Sequence, residues 1–216
     1  MIQDSFNISL EKNPSITITA IPGHFTTSNA HVNHYLDVGK LKCNVEVAQE
    51  VARELALPYL ASTVIDTIVC MEKTTVIGAF LAQELLREGT SVMNTGREIH
   101  VVAPIYNTNG KLVFSENRIM WVARKNILLL VSSISSGRTV NSALECISYY
   151  GGNVVGVSSL FLVLPSSLGW ETHALFTSDD VPGFQMYTPY KCEMCKDGIK
   201  LDALVSSEGY TRLEQI

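Results

Sequence analysis

The sequence is poor in charge: Asp, Glu, Lys and Arg supply 17% of its 216 residues, against roughly a quarter in ordinary soluble domains. A monomer of this size would have little charged surface to spare, which favours association as a homodimer. Nor does one sign dominate. With 16 basic and 21 acidic residues, net -5, the chain is a poor match for a protein that neutralises many nucleic-acid phosphates. It also lacks a membrane span, because its most apolar stretch, residues 154–164, is interrupted by Gly156, Ser158 and Ser159 and falls short of the roughly 20 residues needed. The five cysteines, Cys43, Cys70, Cys146, Cys192 and Cys195, are odd in number and scattered. With no basic-then-apolar start to the chain, they point to a reducing cytoplasm rather than to a disulfide framework.

What is present is apolar residues in quantity, 46% of the chain, enough to exclude disorder and to bury roughly 70% of the unfolded surface. From Cys43 to Leu57 the residues Val47, Val51, Ala52 and Leu55 return every three or four positions, as in an amphipathic helix ended by Pro58. Residues 64–71 then read as a strand, 74–87 as a helix stopped at Gly89, 98–105 as a strand, and 107–114 as a hairpin or flap around Asn107-Thr108-Asn109-Gly110. A strand at 126–131, apolar enough to be covered on both faces, precedes a helix at 139–150. Gly151-Gly152 breaks that helix before a strand from Val154 and a last one at 174–177. Strands alternating with helices imply right-handed crossovers and a three-layer α/β fold with a central, mainly parallel sheet. Residues 1–42 form a hood-like segment ahead of a core at 43–180, and residues 181–216 a turn-rich appendage.

The sharpest local signal is a buried strand running into Ser132-Ser133-Ile134-Ser135-Ser136-Gly137 and then a helix from Arg138-Thr139. This places free backbone N–H groups, hydroxyls and a guanidinium where a helix N-terminus favours negative charge, so Ser135, Ser136, Gly137, Arg138 and Thr139 are candidates to hold a phosphate. The loop has neither the lysine and spacing of GxxxxGK[ST] nor the pattern GxGxxG, which disfavours a nucleotide triphosphatase or a dinucleotide enzyme. In purely structural terms the same residues would cap a helix and permit a turn. Ser132 and Ser133 offer only neutral oxygens where sugar-diphosphate chemistry calls for carboxylates or Mg²⁺. The nearby strand ends provide no replacement acid.

Here the chain resembles the type I phosphoribosyltransferases, the orotate enzymes most of all. Val131-Ser132-Ser133-Ile134-Ser135-Ser136-Gly137-Arg138-Thr139 is similar to the family's loop of two acids, an apolar residue and a Thr-Thr-Gly-like turn that cradles the 5′-phosphate of phosphoribosyl diphosphate. Both acidic positions hold serine. Residues 23–37, GHFTTSNAHVNHYLD, resemble the N-terminal orotate-enzyme segment, with Ala30 at the family's lysine and His31 at its histidine. Glu72, Lys73, Thr74 and Thr75 stand where the family holds the pyrophosphate group, and Lys111 lies in the stretch corresponding to its mobile flap. The resemblance covers residues 20–178. It implies a phosphoribosyltransferase-like fold and a ligand such as phosphoribosyl diphosphate, a nucleotide or a related phosphate ester, with Mg²⁺ accompanying a diphosphate. The missing acids imply lost or weak transfer, and no catalytic residue is assigned. An active transferase on orotate or another nucleobase is the alternative, and a structural homodimer without a small ligand a further one.

Two other patterns carry potential metal ligands. Cys192-Glu193-Met194-Cys195 has the spacing of a zinc knuckle or a redox pair, but only one such pair occurs. Its missing ligands would have to come from His173, Cys43 or a second subunit, so Zn²⁺ is not expected there. His24, His31 and His34 match no standard ligand spacing and read as loop contacts or core hydrogen bonds.

Overall fold

The computed structural model describes residues 5–89, 93–164, 170–206 and 209–213; the first four and last three residues of the expected end segments lie outside these. Alternating apolar residues open the chain as an antiparallel meander of β1 (Phe6–Leu10), β2 (Asn13–Thr26) and β3 (His31–Asp37). Ile16, Ile18 and Ala20 repeat with the period of two that sends every second side chain to one face, and all three are buried. The β2–β3 register slips between Pro22 and Phe25, where proline has no N–H for the ladder.

The helix expected over residues 43–57 is α2 (Val45–Ala56), and a short α1 (Gly39–Cys43) precedes it. Asn44 divides them. Its side chain accepts the Val47 N–H at 3.1 Å, and asparagine is among the strongest N-caps. The core follows with β4 (Thr67–Cys70), α3 (Thr75–Leu85) and β5 (His100–Val102). The last is shorter than expected because the chain turns off into the hairpin of β6 (Ile105–Tyr106) and β7 (Leu112–Val113). A short α4 (Glu116–Ile119) leads to β8 (Asn126–Ile134), α5 (Arg138–Tyr149), β9 (Asn153–Leu162) and β10 (Thr172–Thr177).

The central sheet has the order β10-β9-β8-β4-β5 with every pair parallel. Its strands β4 and β8 are apolar on both faces, for a visible reason. Ile68, Cys70, Leu128 and Leu130 pack with residues of α2 and α3, whereas Val69, Ile127, Leu129 and Val131 pack with Val140, Ala143, Cys146 and Ile147 of α5. The chain's end returns to the first sheet. β11 (Met186–Tyr187) pairs with β3; then, after α6 (Glu193–Lys196), β12 (Ala203–Ser206) runs parallel to β2 and antiparallel to β13 (Gly209–Arg212). Residues from both ends of the chain therefore form one hood sheet beside the core sheet.

Close approach of α3 to β4 depends on Gly78, where a Cβ would lie 2.3 Å from the Cys70 Sγ and 3.2 Å from Val101. Gly78→Ala is expected to lower the unfolding free energy by about 1–3 kcal/mol through overpacking, despite a helix-propensity gain of up to about 1 kcal/mol. Adding Cys70→Ala should restore part of the loss. Urea denaturation of the two variants checks this, and a Gly78→Ala protein as stable as the parent would refute the contact.

Candidate functional site

The strand-to-helix junction after β8 forms one wall of a pocket of about 770 Å³. Gly137 is the N-cap of α5 with φ 73°, a left-handed conformation open to glycine and costly for other residues, and no side chain caps the helix. The first turn therefore presents its backbone donors to the pocket. Ser135, Ser136 and Arg138 are exposed, and all of Ser132 to Val140 line the pocket.

Opposite lies the turn after β4. Glu72 and Lys73 have φ of 50° and 64°, a strained backbone for such residues and of the kind that recurs at binding sites. The turn is held from beneath by Thr74, whose buried hydroxyl donates to the Met71 carbonyl at 2.8 Å. The Glu72 carboxylate crosses to the phosphate loop and accepts the backbone N–H groups of Ser132 and Ser133 at 3.1 and 3.2 Å. Burial pushes its pKa up. The two N–H groups and the nearby Lys42 ammonium oppose that shift without cancelling it. Lys42 Nζ stands 3.3 Å from the Ser132 hydroxyl and 3.4 Å from the Glu72 carbonyl. A carboxylate thus reaches the backbone of both serines from the neighbouring strand end. Nothing in sequence spacing marks either Glu72 or Lys42 for this place.

The hood closes the third side with Thr27, Ser28, Asn29, Val205, Ser206 and Gly209. Asn29 accepts a hydrogen bond from the Arg138 guanidinium, bridging hood and phosphate loop. Of the residues singled out in the sequence, Glu72, Lys73, Ser132, Ser133, Ser135, Ser136, Gly137, Arg138 and Thr139 line this one pocket. Thr74 is buried behind it, Thr75 opens α3, and Lys111 lies in the β6–β7 hairpin. Cys70 lies behind the turn, where burial raises its thiol pKa to about 12.

His31 lies elsewhere, and here the expectation about zinc is overturned. His24, His31, Cys192 and Cys195 bring four donor atoms within 4.8 Å of one another. Neither His173 nor Cys43 is among these donors: His173 packs on Tyr59 with ring centroids 5.3 Å apart, and Cys43 lines the pocket. The true companions sit on β2 and β3, and become neighbours of α6 only when the hood sheet forms. His34, by contrast, packs between Phe6 and Phe184 and lines the pocket.

No family model matches the chain. Its architecture is that of the type I phosphoribosyltransferases: an orotate phosphoribosyltransferase of Mycobacterium tuberculosis in complex with Fe(III) dicitrate superposes with a TM-score of 0.52 at 14% identity, over 74% of this chain and 90% of that one. The same enzyme in complex with phosphoribosyl diphosphate gives 0.50 at 14% identity, over 68% and 82%. In sequence the chain is 26% identical to the orotate phosphoribosyltransferase of Desulforamulus reducens over 183 residues, 83% of this chain and 86% of the relative. It is 25% identical to that of Chlorobium phaeobacteroides over 197 residues, 85% and 87%. The chain is therefore a protein of phosphoribosyltransferase fold, distantly related to the orotate enzymes. Among the described residues no helix is long and apolar enough to cross a membrane.

Proposed function

We propose that this protein binds phosphoribosyl diphosphate or a related phosphate ester, such as a nucleoside monophosphate, in the pocket between phosphate loop and hood, with transfer weak or lost. The observation that carries this reading is the uncapped start of α5, set in a pocket with Ser135, Ser136 and Arg138 exposed beside it. A 5′-phosphate there would accept the N–H groups and hydroxyls of residues 135–139, with the Arg138 charge added. Lys73 and the turn around it would face the diphosphate, which Mg²⁺ would accompany.

Transfer requires more than binding. The bond from the anomeric carbon to pyrophosphate breaks as a base nitrogen attacks that carbon, and catalysis consists of positioning and of stabilising the charge that develops. Ser132 and Ser133 cannot supply the negative charge. One observation favours the second reading, an active nucleobase transferase: the Glu72 carboxylate stands against both serines.

Calorimetric titration with phosphoribosyl diphosphate, with and without Mg²⁺, tests the first reading. Arg138→Ala should weaken binding by about tenfold, the worth of one partly solvated charge-assisted contact. Identical affinities for parent and variant would remove the phosphate from this loop. Release of pyrophosphate on adding a nucleobase would move the assignment to the second reading.

A further inference from the structure

We propose that His24, His31, Cys192 and Cys195 form a four-coordinate structural Zn²⁺ site that ties the end of the chain to its beginning. This does not depend on what the pocket binds. The His24 Nε2 lies 3.2 Å from the His31 Nδ1, 3.4 Å from the Cys192 Sγ and 3.7 Å from the Cys195 Sγ, and the Cys195 Sγ is 3.3 Å from the His31 Nδ1. A tetrahedral zinc with bonds of about 2.0–2.1 Å to nitrogen and about 2.3 Å to sulfur has N···N edges of about 3.3 Å and N···S edges of about 3.6 Å. All four observed separations fall within about 0.3 Å of those edges.

Hydrogen bonding alone is a poor account of this arrangement. One ring nitrogen, the His24 Nε2, is approached at once by a second imidazole and two thiols, more partners than a single lone pair or proton can serve. Convergence of four donors on a common centre is what a cation produces. The His24 ring is also set for ligation. Its Nδ1 is 2.9 Å from the Ile199 carbonyl, so that nitrogen carries the proton and leaves the Nε2 lone pair facing the centre. The Asp202 carboxylate accepts the His24 backbone N–H at 2.9 Å and fixes the strand that carries the ring.

The donor set selects the ion. Two thiolates and two imidazoles suit Zn²⁺ and are poor ligands for Mg²⁺ or Ca²⁺. Four protein ligands leave no position open for water or substrate, and His24, His31 and Cys192 are buried, so the site is structural. The surroundings supply a reason for one. Among the described residues, the hood's own apolar cluster, apart from the β2 residues packed into the main core, has Phe25, Val32 and Ala203 as its buried members, and α6 is four residues long. Such a small core needs a staple, and the metal supplies it by joining the β2 bulge and β3 to the turn at α6.

The full-length chain, stripped of metal under reducing conditions and titrated with Co²⁺, tests the assignment. The expected result is an endpoint at one equivalent, intense tetrahedral d–d bands with thiolate-to-cobalt charge transfer, and displacement by Zn²⁺ with a rise in melting temperature. Cys195→Ser, which changes the most exposed ligand, should about halve the charge-transfer intensity as one of two thiolates is lost, whereas Cys43→Ser should leave it unchanged. A wild-type titration without charge-transfer bands, the same spectrum in Cys195→Ser, or no thermal gain on adding Zn²⁺ would overturn the proposal. So would protein that, fully reduced, takes up no metal and differs from its oxidised form only by a Cys192–Cys195 disulfide. Should Cys195→Ser fail to fold, the wild-type cobalt titration still decides.

Discussion

Gly137→Val is expected to reduce affinity for phosphoribosyl diphosphate by about a hundredfold or more while leaving the core folded. The chain leaves β8 and must reverse within a few residues so that α5 can pack back over the sheet. Gly137 makes that reversal at φ 73°. A residue with a Cβ pays about 1–2 kcal/mol in this conformation, and a β-branched one more, so the loop would relax to negative φ and displace the N–H groups at the start of α5. Loss of two charge-assisted hydrogen bonds at about 1.5 kcal/mol each gives about 3 kcal/mol, or somewhat over a hundredfold. Leu128 to Val131 lie under both helix layers and do not depend on this turn, so cooperative urea unfolding should persist with a midpoint only modestly lowered. Unaltered affinity would show that the phosphate, if bound, is held elsewhere.

The same turn shows why part of the architecture could be read from the chain. Local patterns carry local geometry: the unbroken apolar run of β8 specifies a strand covered on both faces, and Gly137 after a row of serines specifies the turn into a helix. The failures are all cases of distance in sequence. Glu72 and Ser132 stand 60 positions apart, and their meeting follows from parallel pairing of β4 with β8, which aligns Cys70 with Leu130. The Cys-x-x-Cys pair found no ligands in sequence because β12 pairs with β2 and carries the chain's last segment onto the histidines of its first. Spacing rules for metal sites assume that ligands share a local unit; at the proposed site the unit is a sheet built from both ends.

Glu72 offers the second large effect, and its sign separates the two functional readings. Burial raises its pKa from the ordinary carboxylate value, so the folded protein binds this proton more tightly than the unfolded chain. Stability from this group is present at low pH and falls as pH rises from the ordinary carboxylate value through the raised one. Glu72→Gln keeps a carbonyl oxygen for the Ser132 and Ser133 N–H groups and removes the titration. The variant should therefore gain on the parent as pH rises through that window, and the two should converge below it, as urea midpoints across a pH series would show. Without Mg²⁺, loss of a negative charge beside the loop should raise affinity for inorganic phosphate severalfold, on the scale of about 1 kcal/mol for charges in a partly solvated site. If the protein transfers, the outcome in turnover is opposite and larger. A carboxylate standing in for the family's acids stabilises charge as pyrophosphate departs, and removing one such preorganised group costs about a hundredfold or more. Tighter phosphate with no turnover in either protein fits a binding module; tighter phosphate with collapsed pyrophosphate release makes Glu72 the acid that Ser132 and Ser133 lack. Unchanged phosphate affinity would place Glu72 outside the ligand's field and leave it as a strut between two loops.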